Sequence, residues 1–181
     1  LYPDTYRFSE EASAEDIIGR MVRRWRTAWK TVGVEHADSL KALKRAYGFS
    51  RHDIVTLASL IQAETPVEKE RPVISRVFLN RLDRGMRLQT DPTCVYGPET
   101  YLRELTPDLC NDPSNEYSTY SHDGLPPGPI GNPPRSSLAA AVNPIESDEA
   151  SAYLYFVAKQ DGSGEHVFSE TYSQHRRAIR K

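Results

Sequence analysis

The sequence lacks the features of a membrane-spanning or nucleic-acid-binding protein. It has no apolar run long enough to cross a bilayer, and its mean hydropathy is −0.61. The net charge of −2 leaves no excess of positive charge that would attract nucleic acid. We therefore expect no membrane span within these residues and no nucleic-acid partner.

Sequence motifs for metal or nucleotide chemistry are also absent. The five histidines show no HExxH spacing and have no paired cysteines beside them. The sequence contains no G-x-S-x-G motif, no P-loop and no dinucleotide-binding fingerprint. We therefore expect neither a metal ion nor a cofactor.

The length of 181 residues fits a single domain with a substantial core. The chain opens on structured-looking sequence at Leu1, with neither an initiator methionine nor a signal peptide. We expect residues 1–181 to be one domain cut from a longer protein, with any export signal or anchor outside it.

Helix signals dominate the first half of the chain. Polar caps followed by apolar residues at helical spacing start several segments, and glycines or prolines end them. The predicted helices run from Ser13 to Gly33, over 38–47, from Ser50 to Glu64 and from Pro72 to Gly85.

The helix that starts at Ser50 places one carboxyl group at the edge of an apolar face. Glu64 lies one turn after Ile61 on that face, and Pro66 disfavours helical backbone at Thr65, so Glu64 falls in the last turn. Burial and the negative end of the helix dipole should both raise the pKa of Glu64. A carboxylic acid protonated near neutral pH suits general-acid catalysis. The alternative, a last-turn residue that reaches a solvated Lys or Arg, is favoured when the spacing is taken alone.

A predicted strand carries a second group of polar residues. Residues 86–90 alternate, so Met86, Leu88 and Thr90 should face inward. Arg87, Gln89 and Asp91 would then project together from the other face. Such a row suits a polyhydroxylated ligand, although a solvated strand face fits the spacing equally well.

The second half of the chain predicts a long loop and a β-hairpin. Residues 97–134 are rich in Pro, Gly, Asn and Tyr, and their tyrosines favour an ordered loop that lines a cleft. Residues 153–157 and 166–168 flank an Asp161-Gly162-Ser163-Gly164 turn. We predict an α+β fold in which a helical lobe packs with a small antiparallel sheet built from 86–90, 153–157 and 166–168.

Nearly the whole chain resembles the YceG-like (MltG) endolytic murein transglycosylases. The matching motifs follow one order. They are LYPDTY at 1–6, LASLI at 57–61 with Glu64, VFLNRL at 77–82, MRLQTDPT at 86–93, YSTY at 117–120, GLPPGPI at 124–130, YLYFV at 153–157 and HVF at 166–168. Ser118 stands where the family pattern has Asn.

The resemblance implies that the domain cleaves the β-1,4 bond between N-acetylmuramic acid and N-acetylglucosamine without water. Glu64 corresponds to the family's catalytic glutamate. Many members have another glutamate at the position of Gln62, but Gln62 projects away from the apolar face. The substrate-binding residues that we expect are Gln89, Asp91, Tyr117, Tyr120, Asn80, Arg87 and Asn143.

The resemblance also implies a cellular setting. Relatives carry an N-terminal membrane anchor and a LysM-like subdomain, which would precede Leu1, and the domain would face the periplasm or cell wall. Its partners would be peptidoglycan glycan strands and peptidoglycan synthases such as penicillin-binding proteins, and the domain itself would be a monomer. We predict that Cys94 and Cys110 lie close enough to pair in that oxidising compartment; the alternative is two unpaired buried thiols.

Two other functions remain open. A conventional glycoside hydrolase would use Glu64 with Asp91 as base or nucleophile. A non-catalytic module would only hold peptidoglycan through its polar strand and tyrosine-rich loop.

Overall fold

The computed structural model of the protein describes residues 1–97, 100–101 and 103–180. Over these residues the chain forms nine helices and one β-hairpin, which confirms the predicted α+β class. The elements are α1 (Ala14–Glu35), α2 (Ala37–Tyr47), α3 (Arg51–Glu64), α4 (Arg71–Asp83), α5 (Asp91–Cys94), α6 (Pro107–Asn111), α7 (Arg135–Val142), α8 (Asp148–Ala152), β1 (Tyr155–Ala158), β2 (His166–Ser169) and α9 (Tyr172–Ile179). A 3-10 turn, Glu68–Glu70, precedes α4.

Helix α3 is the centre of the core. Ser50 and Asp53 form a capping box at its start, and the helix ends at Glu64 as predicted. Its buried residues pack against α7 and α4. Leu57, Leu60 and Ile61 are fully buried, and each such side chain contributes about 1.5–3 kcal/mol.

Helix α1 is longer than the sequence predicted. It continues through Gly33 to Glu35, and the His36 amide donates to the Val32 carbonyl at 2.9 Å. A glycine within a helix costs about 1 kcal/mol. Val32 is fully buried in the core, and this tertiary packing outweighs the local preference of Gly33. None of the helices among the described residues combines the length and apolar character needed to cross a membrane.

The β-sheet has two strands in the described part of the chain, and the prediction of a third over 86–90 is wrong. β1 and β2 pair antiparallel, with Tyr155 opposite Ser169. Gln89 has a φ of 49°, which breaks an extended strand. Its amide donates to the Thr119 carbonyl at 3.1 Å, so this segment pairs with the long loop and not with the hairpin. Leu88 and Thr90 are nevertheless buried, as the alternation predicted.

Glu70 fixes the hairpin to the helical lobe. Its carboxylate accepts from the His166 backbone amide at 3.0 Å and lies 2.8 Å from Nδ1 of the same histidine. Both side chains are buried. The start of β2 is therefore held against the turn that follows α3.

The long loop packs against helix α3 near the end of the loop, at Pro127 and Ile130. The Ile130 amide donates to Ser59 Oγ at 3.0 Å, and His52 Nε2 lies 2.9 Å from the Pro127 carbonyl. The loop also contains helix α6, which Thr106 caps. These contacts confirm an ordered loop over its described residues, while residues 98, 99 and 102 lie outside them.

Cys94 and Cys110 form a disulfide, which confirms their predicted proximity. Their Cα atoms are 4.7 Å apart, and the bond joins α5 to α6. The Cys110 carbonyl also accepts hydrogen bonds from the hydroxyls of Ser118 and Ser121.

Removal of this disulfide should destabilise the domain. Closure of a loop with a sequence separation of 16 is worth about 3 kcal/mol, because it restricts the unfolded chain. Urea unfolding of a variant with both Cys94→Ala and Cys110→Ala should show a loss of that size. Reductant should destabilise the parent protein and leave the double variant unchanged; an equal effect of reductant on both proteins would contradict the assignment.

Candidate active site

A cleft of about 280 Å³ opens at the C-terminal end of α3. Its walls come from α3, α4, the segment before α5, the long loop, the hairpin and α9. The lining residues are Glu64, Arg81, Leu88, Gln89, Asp91, Tyr120, Tyr155, Phe156, Tyr172 and His175. Within the described residues, no group of three or more His, Cys, Asp or Glu side chains is arranged to hold a metal ion.

Glu64 is the last residue of α3 and is half-buried in this cleft. Burial, and to a smaller extent the negative charge of Asp91, raise the pKa of Glu64 to about 7 against the opposing positive charge of Arg81. The burial of Glu64 was predicted from the sequence, whereas the effect of Asp91 on its pKa was not. Glu64 is therefore part protonated and part ionised at neutral pH.

Asp91 and Tyr120 form a hydrogen-bonded pair on the opposite wall. The Tyr120 hydroxyl donates to Asp91 Oδ1 at 2.6 Å. Burial and this hydrogen bond raise the pKa of Tyr120 above its ordinary value, so the phenol remains a donor. One oxygen of Asp91 is thereby occupied by a fixed partner.

Thr119 holds these two residues together. Its hydroxyl accepts from the Thr90 amide at 2.9 Å, and its own amide donates to Thr93 Oγ1 at 3.2 Å. These buried bonds join the segment that carries Asp91 to the loop that carries Tyr120. The left-handed backbone of Gln89 beside them costs about 1–2 kcal/mol, and such strain concentrates at functional sites.

Arg81 places a buried positive charge in the cleft. Its Nε donates to the Leu154 carbonyl at 2.7 Å, and Nη1 donates to the Leu88 carbonyl at 2.6 Å. Its guanidinium lies 5.4 Å from the Tyr155 ring centroid. Burial lowers the pKa of Arg81, but an arginine stays charged near neutral pH. Arg81 thus joins the hairpin to α4 beside Glu64.

Two predicted substrate-binding residues have structural roles outside the cleft lining. Asn80 is buried and donates to the Ala150 carbonyl at 3.0 Å and the Tyr153 carbonyl at 2.9 Å, so both amide hydrogens are used. Arg87 pairs with Asp123 at 2.9 Å and donates to the Tyr120 carbonyl at 2.7 Å. Arg87 therefore holds the backbone of Tyr120 in place.

Two further predicted residues lie elsewhere. Tyr117 packs its ring on Tyr96 at 4.8 Å between centroids. Asn143 is exposed at the end of α7, where it borders a separate depression against α2. The structure thus brings together Glu64, Gln89, Asp91 and Tyr120 from the predicted set. Gln62 is not part of the cleft lining and lies near Gly131.

The cleft residues on the hairpin and α9 were not predicted from the sequence. Tyr155 and Phe156 were assigned only to a strand, and α9, which carries Tyr172 and His175, was not predicted. A signal for α9 was present, because Thr171 and Gln174 have the spacing of the capping box that the structure shows. Nothing in the local sequence indicated that this helix packs on the hairpin beside Glu64.

Comparison with known proteins identifies the family. The model of the YceG-like family matches residues 1–181. The chain belongs to the YceG-like family. Among similar proteins is an endolytic murein transglycosylase of Bacillus subtilis, 38% identical over 183 residues. That match covers 100% of this chain and 46% of the relative.

Two other YceG-like relatives extend the comparison. An endolytic murein transglycosylase of Streptococcus pneumoniae is 28% identical over 162 residues, which cover 87% of this chain and 27% of the relative. A crystal structure of a yceG-like protein from Listeria monocytogenes superposes with a TM-score of 0.79 at 38% identity. It covers 98% of this chain and 53% of that one. The chain thus spans about half of the Bacillus and Listeria relatives and about a quarter of the streptococcal one.

Loss of the negative charge at Asp91 should lower the pKa of Glu64. In Asp91→Asn the repulsion disappears, so the carboxylate of Glu64 becomes easier to form. NMR titration of ¹³C-labelled glutamate should give a midpoint near 7 in the parent protein and a lower one in the variant. Asp123→Asn, an exposed carboxylate outside the cleft lining, should leave the midpoint unchanged. An identical midpoint in all three proteins would contradict this electrostatic account.

Proposed function

We propose that this chain is the catalytic domain of an endolytic peptidoglycan lytic transglycosylase, with Glu64 as its general acid and then its base. The observation that carries the proposal is one half-buried carboxyl group, with a pKa of about 7, in a cleft lined by polar and aromatic side chains. The names of the relatives from Bacillus and Streptococcus support the same reaction.

The reaction begins with proton transfer from Glu64. The protonated carboxyl donates to the glycosidic oxygen between N-acetylmuramic acid and N-acetylglucosamine. The C1–O bond of the muramic acid breaks, and the N-acetylglucosamine leaves with a new hydroxyl group. Positive charge develops on the muramic acid ring, while Glu64 is left as a carboxylate.

The second step returns the proton to Glu64. The C6 hydroxyl of the same muramic acid attacks C1, and the carboxylate of Glu64 takes the hydroxyl proton. The product is a 1,6-anhydromuramic end, no water is consumed, and Glu64 is protonated again. A pKa of about 7 suits this cycle, because one group must donate and then accept a proton.

The other cleft residues support this chemistry without transferring the proton. Asp91 raises the pKa of Glu64 and, held by Tyr120, positions the substrate with Gln89. Arg81 uses Nε and Nη1 on backbone carbonyls and so keeps the hairpin in place over Glu64.

A conventional glycoside hydrolase is the second candidate, because Asp91 shares the cleft with Glu64. Asp91 would then act as base or nucleophile. The hydrogen bond from Tyr120 weakens this alternative, since it lowers the basicity of the carboxylate. A module that only binds glycan would need no raised pKa at Glu64.

The cellular setting follows from the same proposal. The domain would act on peptidoglycan glycan strands as a monomer on the wall-facing side of the membrane. A membrane anchor and a LysM-like subdomain would belong to the part of the longer protein that precedes Leu1. Peptidoglycan synthases would be its protein partners.

Glu64→Gln should abolish turnover and leave the fold and glycan binding intact. The amide keeps the shape of the side chain but can neither donate an acidic proton nor take one back. The loss should reach at least about a hundredfold. Asp91→Asn should be milder, whereas the hydrolase alternative requires a comparable loss at Asp91.

Mass spectrometry of muropeptides from digested sacculi measures both outcomes. The parent protein should give anhydro ends. Gln62→Ala is the matched control, because Gln62 lies on the same helix outside the cleft lining, and its activity should equal that of the parent. Reducing ends in place of anhydro ends, or full activity in Glu64→Gln, would overturn the proposal.

Activity should fall as the pH rises through about 7. The first step needs protonated Glu64, and the fraction in that form decreases tenfold for each pH unit well above its pKa. In Asp91→Asn the falling limb of kcat/KM should move to lower pH, because the pKa of Glu64 falls. A profile flat from pH 6 to 9 in the parent protein would exclude Glu64 as the acid.

A further inference from the structure

His175 is a cleft residue to which the proposed reaction gives no role. It lies on α9, whose start is fixed by the capping box of Thr171 and Gln174. The helix packs on β1 and β2. The imidazole stacks on the Tyr155 ring at 5.4 Å between centroids, with an interplanar angle of 24°. The position of the ring is therefore set by both the hairpin and α9.

The surroundings of the ring identify its tautomer. Nδ1 is buried and makes no hydrogen bond to the described residues. An N–H group at that place would be left unpaired at a cost of about 1–3 kcal/mol. Nε2 is not among the buried atoms that lack a partner in the described residues, and the ring lines the cleft. We therefore place the proton of the neutral ring on Nε2, the nitrogen that is not enclosed in this cleft-lining ring.

The ring is neutral at physiological pH. Burial lowers the pKa of His175, and the nearby positive charge of Arg81 lowers it further. A neutral histidine places no positive charge beside Glu64, so it does not oppose the raised pKa of that acid. His175 thus gives the cleft an uncharged N–H donor on a ring that is held by packing on Tyr155.

We propose that the Nε2–H group of His175 donates a hydrogen bond to an uncharged oxygen of the amino sugar bound in the cleft. The acceptor is an N-acetyl carbonyl or a ring hydroxyl. The inference rests on the proposed function, because it assigns a binding contact within the same site.

The chemistry of the cleft favours an uncharged sugar oxygen over an anion. Glu64 and Asp91 contribute negative charge, which repels a carboxylate or phosphate. Arg81 directs Nε and Nη1 to backbone carbonyls. Tyr155 and Phe156 supply aromatic surface on which the apolar face of a sugar ring can pack beside the imidazole.

Three variants separate the hydrogen bond from the packing of the ring. The amide nitrogen of Gln reaches about as far as Nε2 of His, whereas the amide nitrogen of Asn reaches only as far as Nδ1. Phe keeps the stack on Tyr155 but removes both nitrogens. We therefore compare His175→Gln, His175→Asn and His175→Phe, each in the Glu64→Gln background to prevent turnover.

The probe is a tetrasaccharide of alternating N-acetylglucosamine and N-acetylmuramic acid, and calorimetry gives its Kd. His175→Phe and His175→Asn should weaken binding about tenfold, the value of one hydrogen bond, while His175→Gln should stay within about threefold. Thermal unfolding should be similar in all three. Unchanged binding in His175→Phe, or an equal loss in His175→Gln, would overturn the inference.

A chemically de-N-acetylated tetrasaccharide identifies the acceptor. If the N-acetyl carbonyl accepts the bond, His175→Phe should cause no further loss with this probe. If a hydroxyl accepts it, the tenfold loss should remain. A separate experiment tests the proposed reaction. The protein with Glu64 intact digests sacculi, and the anhydro products are measured. Their absence would reject that reaction, whereas normal anhydro products with unchanged binding in His175→Phe would reject only the role of His175.

Discussion

The fixed position of the Glu64 carboxyl group at the end of a buried helix is the constraint on which the site depends. Helix α3 packs between α4 and α7, so the core holds its backbone up to the last turn. Burial opposes ionisation of the carboxyl group and, together with the negative charge of Asp91, raises its pKa to about 7. The same packing that stabilises the fold therefore places a proton donor at the cleft.

The remaining walls of the cleft are positioned by polar contacts as well as by the packing of Leu88 and Phe156 on the apolar core. Thr119 connects the segment before α5 to the long loop, and the Cys94–Cys110 disulfide closes the same region. Glu70 binds the start of β2 at His166, and Arg81 binds the carbonyl of Leu154 just before β1. Polar groups of this kind are directional, so they fix the orientation of a side chain more narrowly than apolar burial does.

Asn80 and Arg81 show how far sequence reasoning could go within the site. Both belong to one motif on α4, and the motif was correctly associated with the family. Adjacent residues on a helix point about 100° apart. Asn80 binds carbonyls of α8 and of the loop before β1, whereas Arg81 lines the cleft. Only the packing of α8 and the hairpin on α4 decides which of them faces the cleft.

The sequence by itself determined the features that depend on near neighbours. Helix caps, the end of α3 at Glu64, the hairpin and the family all followed from residues a few positions apart or from ordered motifs. The tertiary structure decided that residues 86–90 pair with the loop at Thr119 and not with the hairpin. It also decided that α9 brings His175 to the cleft that Asp91 and Tyr120 line. These arrangements depend on contacts between distant segments, and local periodicity carries no information about which distant segment will satisfy a buried polar group.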